Sequence, residues 1–345
     1  MEKININTTG FNSDIFIGEK WETVSGLVPD NKTVIVTDDN VNQLYGVRFP
    51  KFPIFSLPPG ETSKKLGVIG TLAEKMLDAG IDRSGFVLAI GGGVVCDVAG
   101  FLAAVYMRGI RCGYVSSTLL SQVDASTGGK NGVNLGGTKN MLGTIRQPEF
   151  VICDPALLLT LPQQEYLSGL AELIKTAIIG DKELFELIER NVDKIMSRNQ
   201  ELLVSLIAKS VRFKGLVVSR DEYETGLRRI LNFGHTFGHA VEMQKSVKHG
   251  FAVAAGMELA TDFSFEKGYI GQDEKVRIND MLKRFKLIGR IDIKEDQMEK
   301  LVLHDKKKIG TDIHFVFTQG IGKALVEKIP VGEVLGFYKR YRDKK

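Results

Sequence analysis

The chain has 345 residues, 43% of them hydrophobic and 26% charged, enough for one large or two ordinary domains with full apolar cores. Its 46 Lys and Arg against 42 Asp and Glu leave a net charge of +4, too small to point to nucleic acid or a membrane surface, so any anionic ligand must be met by local lysines. Three cysteines, Cys96, Cys112 and Cys153, lack the close spacing of a thiolate metal site or a disulfide framework and fit a reducing compartment.

In chain order, the opening MEKININTTG lacks the basic-then-apolar profile of a signal peptide, and no run approaches the ~20 apolar residues of a spanning helix, so a cytoplasmic protein is expected. The β-branched run TVIVT predicts a strand over 33–37, ending in the turn and cap residues Asp38-Asp39-Asn40. A second strand is predicted over 52–57, closed by Pro58-Pro59-Gly60, and an amphipathic helix over 64–79. The continuous apolar run FVLAI at 86–90 ends in Gly91-Gly92-Gly93, as a buried parallel strand does, with a helix starting near Val94 and another strand over 113–116. Strand and helix alternating in this way imply an α/β layer with a mostly parallel sheet. After Asp154-Pro155 the periodicity turns helical, with helices predicted over 171–179, 183–196, 202–218, 228–243 and 252–267. Two domains are expected, 1–155 and 156–345, without a flexible linker.

Four constellations carry chemistry. The triple glycine offers bare N–H groups at a helix N-terminus, either an anion site or a tight packing turn; Gly91-x-Gly93 is present, but Cys96 holds the third glycine position of the dinucleotide fingerprint. Asp97, early in that helix, is placed to hydrogen-bond a ribose or nicotinamide group. The stretch 117–140, rich in glycine, hydroxyls and lysine, is either a phosphate-wrapping segment or a surface loop; Lys130 and Lys139-Asn140 each follow a glycine pair, while Asp124 and Asn131 stand where a P-loop needs Gly and Ser or Thr. Glu172 and Lys175, spaced i, i+3 in GLAELIK, are either a weak surface pair or a partly buried carboxylate needing a cation. Finally, three of the five histidines fall in RRILNFGHTFGHAVEMQKSVKHG: His235 and His239 at i, i+4, with Arg228 and Asn232 on the same helical phase upstream, and His249 at the start of a Gly-containing turn. The charge-dense 214–228 segment between them reads as a solvated loop at Asp221 and Glu222.

Together the strings GGGVVCDVAGF, YMRG, STLLSQVDASTGGKNGVN, LGGTKN, GLAELIK, the DExExGLR pattern and LNFGHTFGHA resemble the 3-dehydroquinate synthase family, in the family's order and over most of the chain. The resemblance implies a Rossmann-like NAD-binding α/β domain followed by an all-helical metal-binding domain, a homodimer, and a site in the cleft between the domains. It implies that Glu172, His235 and His249 hold a divalent metal, zinc or cobalt, so that His235 and His239 are not both ligands. His239 becomes a proton acceptor and Glu224 a second acid/base residue. Substrate-binding positions are Arg108, Asp124, Lys130, Asn140, Lys175, Lys214, Arg228, Asn232 and one lysine of the 306–308 run, taken as Lys306. NAD is expected to touch Asp38, Asn40, Glu61, Lys64, Gly92, Gly93, Val94, Asp97, Ser117, Thr118, Lys139, Leu157 and Thr160.

The implied reaction converts 3-deoxy-D-arabino-heptulosonate 7-phosphate to 3-dehydroquinate and phosphate in the shikimate pathway, with NAD regenerated at each turnover. The carboxylate and phosphate of that substrate give a physical reason for so many cations. The chain departs from the family where Phe251 replaces the carboxylate of HGEAV, where the spacer between His239 and His249 is shortened, at Cys96 in place of Gly, and at Ser116-Ser117 in place of Pro-Thr. Phe251 bears on how His249 is oriented. The competing expectations are a sister cyclase making an inosose or valiolone, and a metal-dependent polyol dehydrogenase that would release NADH.

Overall fold

The computed structural model describes residues 1–245, 247–288, 293, 297–299, 308–309 and 312–344. They form two compact units, Met1–Leu161 with Gln200–Tyr223, and Pro162–Asn199 with Glu224–Lys345.

The first unit is built on a seven-stranded sheet. Its strands are β1 (Glu2–Asn7), β2 (Asn12–Ile17), β3 (Thr33–Asp38), β4 (Ile54–Leu57), β5 (Phe86–Gly91), β6 (Arg111–Ser116) and β9 (Phe150–Cys153), in the order β1-β2-β9-β6-β5-β3-β4. Only the β1–β2 hairpin is antiparallel; every other pair is parallel. All six residues of β5 are buried, as an apolar run covered on both faces must be. Phe86 stacks on Phe150 at 5.9 Å, and these rings join Trp21, Ile35, Leu88, Val115, Ile152 and Leu157 in one core cluster. The antiparallel hairpin β7 (Lys130–Leu135) and β8 (Thr138–Ile145) stands apart as its own sheet. The predicted helix over 64–79 is found at Leu66–Asp78, and the helix after the triple glycine at Gly93–Val105.

The helix Gln200–Arg220 is contiguous in sequence with the second domain as expected above, yet it packs in the first unit. The reason is polar as well as apolar: Ser210 Oγ donates to the Val123 carbonyl at 3.1 Å, Arg212 pairs with Glu2 at 2.7 Å, and Gly215 lies against Ile6.

The second unit is helical, with helices at Gln163–Gly180, Lys182–Arg190, Val192–Met196, His235–Lys245, His249–Glu266, Gln272–Arg284 and Val331–Asp343. It is not wholly so. Strands β10 (Lys308–Ile309), β11 (Asp312–Thr318) and β12 (Ala324–Pro330) form an antiparallel sheet that the helical reading of this half passed over. Phe315 and Phe317 of β11 pack with Phe237, Phe263 and Phe337 into an aromatic core, where Phe263 and Phe337 stack at 4.4 Å.

Two predicted helices are broken. The one over 183–196 divides at Asn191. The one over 228–243 divides into a 3-10 turn, Leu227–Asn232, and the helix from His235, because Gly234 takes φ +77°. Arg228 and Asn232 therefore do not share the helical phase of the histidines. Among the described residues no helix is long and apolar enough to cross a membrane.

Candidate metal centre and cofactor cradle

In the second unit the site grows out of three helices forced close together. The Gln163–Gly180 helix is buried along Tyr166–Ile179, so Glu172 and Lys175 lie inside the protein, at 0% and 2% exposure. The surface-pair alternative for these two residues is excluded; they form a direct buried ion pair through Lys175 Nζ and Glu172 Oε2. An isolated buried carboxylate would be prohibitive, and this one is matched by several cations and donors. Burial by itself would raise the Glu172 pKa, but Lys175 and the imidazole of His249 hold it well below the ordinary carboxylate value.

His249 is the first residue of its helix, not part of a turn before it. It reaches Glu172 because Gly250 lets that helix end touch the backbone of Ser168; a Cβ at Gly250 would fall 2.2 Å from the Ser168 carbonyl oxygen. Gly250 N–H donates to Ser168 Oγ at 2.9 Å, and Lys248 pairs with Glu165, so the contact is fastened on both sides. The helix bearing His235 and His239 is drawn in by a second close approach, in which the space beside Gly256 is filled by Gly234 and Gly238. Phe237 points to the opposite side of that helix, into the aromatic core, and sets its rotation.

The result is a convergent donor set. Glu172 Oε1 lies 3.1 Å from His249 Nε2 and 3.8 Å from His235 Nε2. Among the described residues, the ligand atoms of Glu172, His235 and His249 all fall within 4.8 Å of one another. His235 Nδ1 sits 3.1 Å from the Phe233 carbonyl; a carbonyl can only accept, so Nδ1 carries the proton and Nε2 presents its lone pair inward. One carboxylate and two imidazoles, which ligate in their neutral form, is a donor set suited to zinc or cobalt with positions left open. The His239 ring packs edge-on against His235 at 5.4 Å and stands outside the triad. Burial disfavours a charged His249, yet its carboxylate neighbours Glu172 and Glu242 raise its pKa to about 9. Glu242 is a residue that sequence reasoning missed; its only sequence signal is its place one helical turn after His239. Arg228, in the same unit, is buried at 2% exposure, and Asn232 Nδ2 donates to Glu224.

In the first unit the cradle is a separate construction. Gly92 caps the Gly93–Val105 helix, whose first residues Gly93 and Val94 are partly exposed, and Thr118 packs against Gly92. Asp97 pairs with the buried Lys64; burial outweighs that pairing and raises Asp97 to about 6. Glu61 accepts from Asn134 at 3.0 Å and lies 3.9 Å from Lys139. Asp38 accepts from Val41 N–H as a helix cap, while Asn40, Lys130, Lys139 and Asn140 are exposed. Ser117 is buried, Tyr45 and Thr160 hydroxyls meet at 2.6 Å, and Leu157 is committed to the core. Lys214 Nζ bonds the Asp124 carbonyl at 2.7 Å and pairs with its carboxylate. Arg108 and Asn140 here, and Glu224 in the second unit, hold φ between +52° and +69°, a conformation costing about 1–3 kcal/mol that survives where surroundings impose it, often at functional sites. Lys306 lies outside the described residues.

The fold is that of the sugar phosphate cyclases. The structure is similar to 2-epi-5-epi-valiolone synthase from Streptomyces hygroscopicus, solved with NAD+ and Zn2+ bound, with a TM-score of 0.89 and 25% identity over 98% of this chain and 99% of that one. Within that class the chain belongs to the 3-dehydroquinate synthase family. The family's N-terminal model matches residues 54–168 and its C-terminal model residues 169–308. The chain is 44% identical to the 3-dehydroquinate synthase of Solibacter usitatus over 80% of this chain and 78% of that one, and 43% identical to that of Thermoanaerobacter pseudethanolicus over 91% and 92%.

Proposed function

We propose that the chain is a 3-dehydroquinate synthase that converts 3-deoxy-D-arabino-heptulosonate 7-phosphate to 3-dehydroquinate and phosphate, using catalytic NAD and a divalent metal. The observation that carries the reading is the convergence of His235 Nε2 and His249 Nε2 on Glu172 Oε1, in a chain of this family. Glu172, His235 and His249 would hold the metal, and the Gly92–Asp97 turn with Lys64, Glu61, Lys139 and Thr118 would hold NAD. When bound, the metal would supply Lewis-acid polarisation of the substrate's C5 oxygen, and NAD reversible hydride acceptance at the C5 carbon.

The chain's own residues then bind, orient and move protons. Arg228 grips the substrate carboxylate bidentately, a planar geometry that lysine cannot copy, and Asn232 and Lys175 hold neighbouring oxygens. His239, outside the metal triad yet in contact with His235, accepts the hydroxyl proton, with Glu224 as the second acid/base group. In the first unit, Arg108, Asp124, Lys130, Asn140 and Lys214 supply the phosphate and hydroxyl contacts. The same reading makes the protein cytoplasmic and homodimeric, with a small-molecule partner and neither nucleic acid nor membrane.

The test is to supply purified protein with the heptulosonate phosphate, zinc and one equivalent of NAD per site. Phosphate should be released over many turnovers with no net rise in NADH absorbance. NADH accumulating in step with product would instead favour the polyol dehydrogenase. Equal or better turnover of glucose 6-phosphate or sedoheptulose 7-phosphate would favour a sister cyclase. Arg228→Lys should lower kcat/KM for the heptulosonate phosphate at least about tenfold, roughly 1.4 kcal/mol.

A further inference from the structure

We infer that Glu242 is a positioning residue for the metal centre, fixing the tautomer and orientation of His249; the inference rests on the proposed metal site. Phe251, two residues after His249, offers no hydrogen-bond acceptor. The structure supplies one from the neighbouring helix. Glu242 Oε2 lies 3.5 Å from His249 Nδ1, at the long end of hydrogen-bonding range, with the carboxylate only 12% exposed. The other ring nitrogen, Nε2, faces Glu172 Oε1 at 3.1 Å. The imidazole is thus held between two carboxylates on opposite edges, one a proposed ligand and the other not.

That arrangement decides which nitrogen keeps its proton. A metal on Nε2 requires that atom to be deprotonated, leaving Nδ1–H as the donor; an acceptor-only carboxylate beside Nδ1 selects that tautomer. A carboxylate behind a ligating imidazole also increases its basicity and stops the ring turning away. The two histidines are therefore supported differently. His235 leans on the neutral Phe233 carbonyl, which its own backbone provides, and His249 on a full charge carried by a side chain. A substitution can remove the second support without touching any proposed ligand.

Glu242 also joins the two helices on which the histidines ride. His235 and Glu242 share the His235–Lys245 helix, seven residues apart and so on the same face, and the His249 helix packs against it through Gly238, Gly256 and Ala252. The Glu242–His249 contact is the polar counterpart of that apolar seam. It ties the ring of one proposed ligand to the helix that carries the other.

The experiment measures zinc and cobalt affinity by chelator competition in wild type, Glu242→Ala, Glu242→Gln and His249→Ala, together with the visible spectrum of the cobalt-loaded proteins and the Tm of the metal-free ones. Glu242→Ala should weaken metal binding 10–100-fold. Glu242→Gln, whose amide oxygen still accepts, should recover part of that loss. The cobalt bands of Glu242→Ala should shift while its metal-free Tm stays near wild type, which a merely structural role would not produce. Unchanged affinity and spectrum in Glu242→Ala, with metal lost in His249→Ala, would overturn the role of Glu242 and leave the metal site standing. Full metal retention in His249→Ala would instead overturn the metal site itself.

Discussion

Gly256→Ala tests whether the metal triad is assembled by backbone contact between helices. The added Cβ would stand 1.9 Å from the Gly234 carbonyl oxygen, 2.7 Å from Gly238 N and 2.9 Å from the Gly234 carbonyl carbon. All three neighbours are backbone, so no side chain can rotate aside. Restoring an ordinary carbon–oxygen contact requires the two helices to part by about 1.5 Å, since non-bonded contacts favour about 3.5 Å. Overpacking of this kind costs about 1–3 kcal/mol when side chains absorb it, so a purely backbone clash should reach about 3 kcal/mol or more. The same displacement carries His235 away from Glu172 and His249, and metal sites tolerate only about 0.2 Å. Gly70→Ala is the matched control: it lies in the Leu66–Asp78 helix with nothing within 4 Å of its Cβ, and should stabilise by about 0.4–1 kcal/mol. Urea unfolding of the chelator-treated proteins, followed by elemental analysis after zinc loading, reads both effects. If Gly256→Ala unfolds within about 0.5 kcal/mol of wild type and binds full zinc, the close approach is not what builds the site.

Three further outcomes are expected. Glu172→Gln leaves the Lys175 ammonium buried without its carboxylate, and should cost about 3–5 kcal/mol in urea unfolding as well as the bound metal; a loss under about 1 kcal/mol would contradict the buried pairing. Burial raises Asp97 to about 6, so the folded chain holds that proton more tightly than the unfolded one. The stability this contributes is present below about pH 4 and lost as pH rises through 6; wild type measured against Asp97→Asn should fall by about 2–3 kcal/mol between pH 4 and 7, and a flat difference would refute it. Tyr114 donates to the Asn131 side-chain oxygen at 2.9 Å in the interior, so Tyr114→Phe strands a buried acceptor and should cost about 1–3 kcal/mol; an unchanged urea midpoint would show that the acceptor finds another donor.

Much of this protein is written locally. The apolar run at 86–90 followed by three glycines could hardly be anything but a buried parallel strand entering a helix, and it is one. The ordered strings from the glycine loop to LNFGHTFGHA carried the family, because each preserves residue type and spacing together. What sequence spacing misjudged were features set by partners far along the chain. Spacing alone singled out the i, i+4 pair His235 and His239; the resemblance pointed to His249 and Glu172 as the partners of His235, and these three converge through a helix contact that Gly250 permits. The helix Gln200–Arg220 looks like any other helix of the second half; the bonds of Ser210 and Lys214 to the segment around Asp124, with Arg212 on Glu2 and Gly215 on Ile6, place it in the first unit. Glu242 lies just beyond the string LNFGHTFGHA, and its significance rests on one distance to a ring seven residues later. Hydrophobic period and motif order are short-range properties and so are legible in the sequence. Which polar atoms end up a few ångströms apart depends on how closely helix backbones approach, and that is decided by packing across the whole unit.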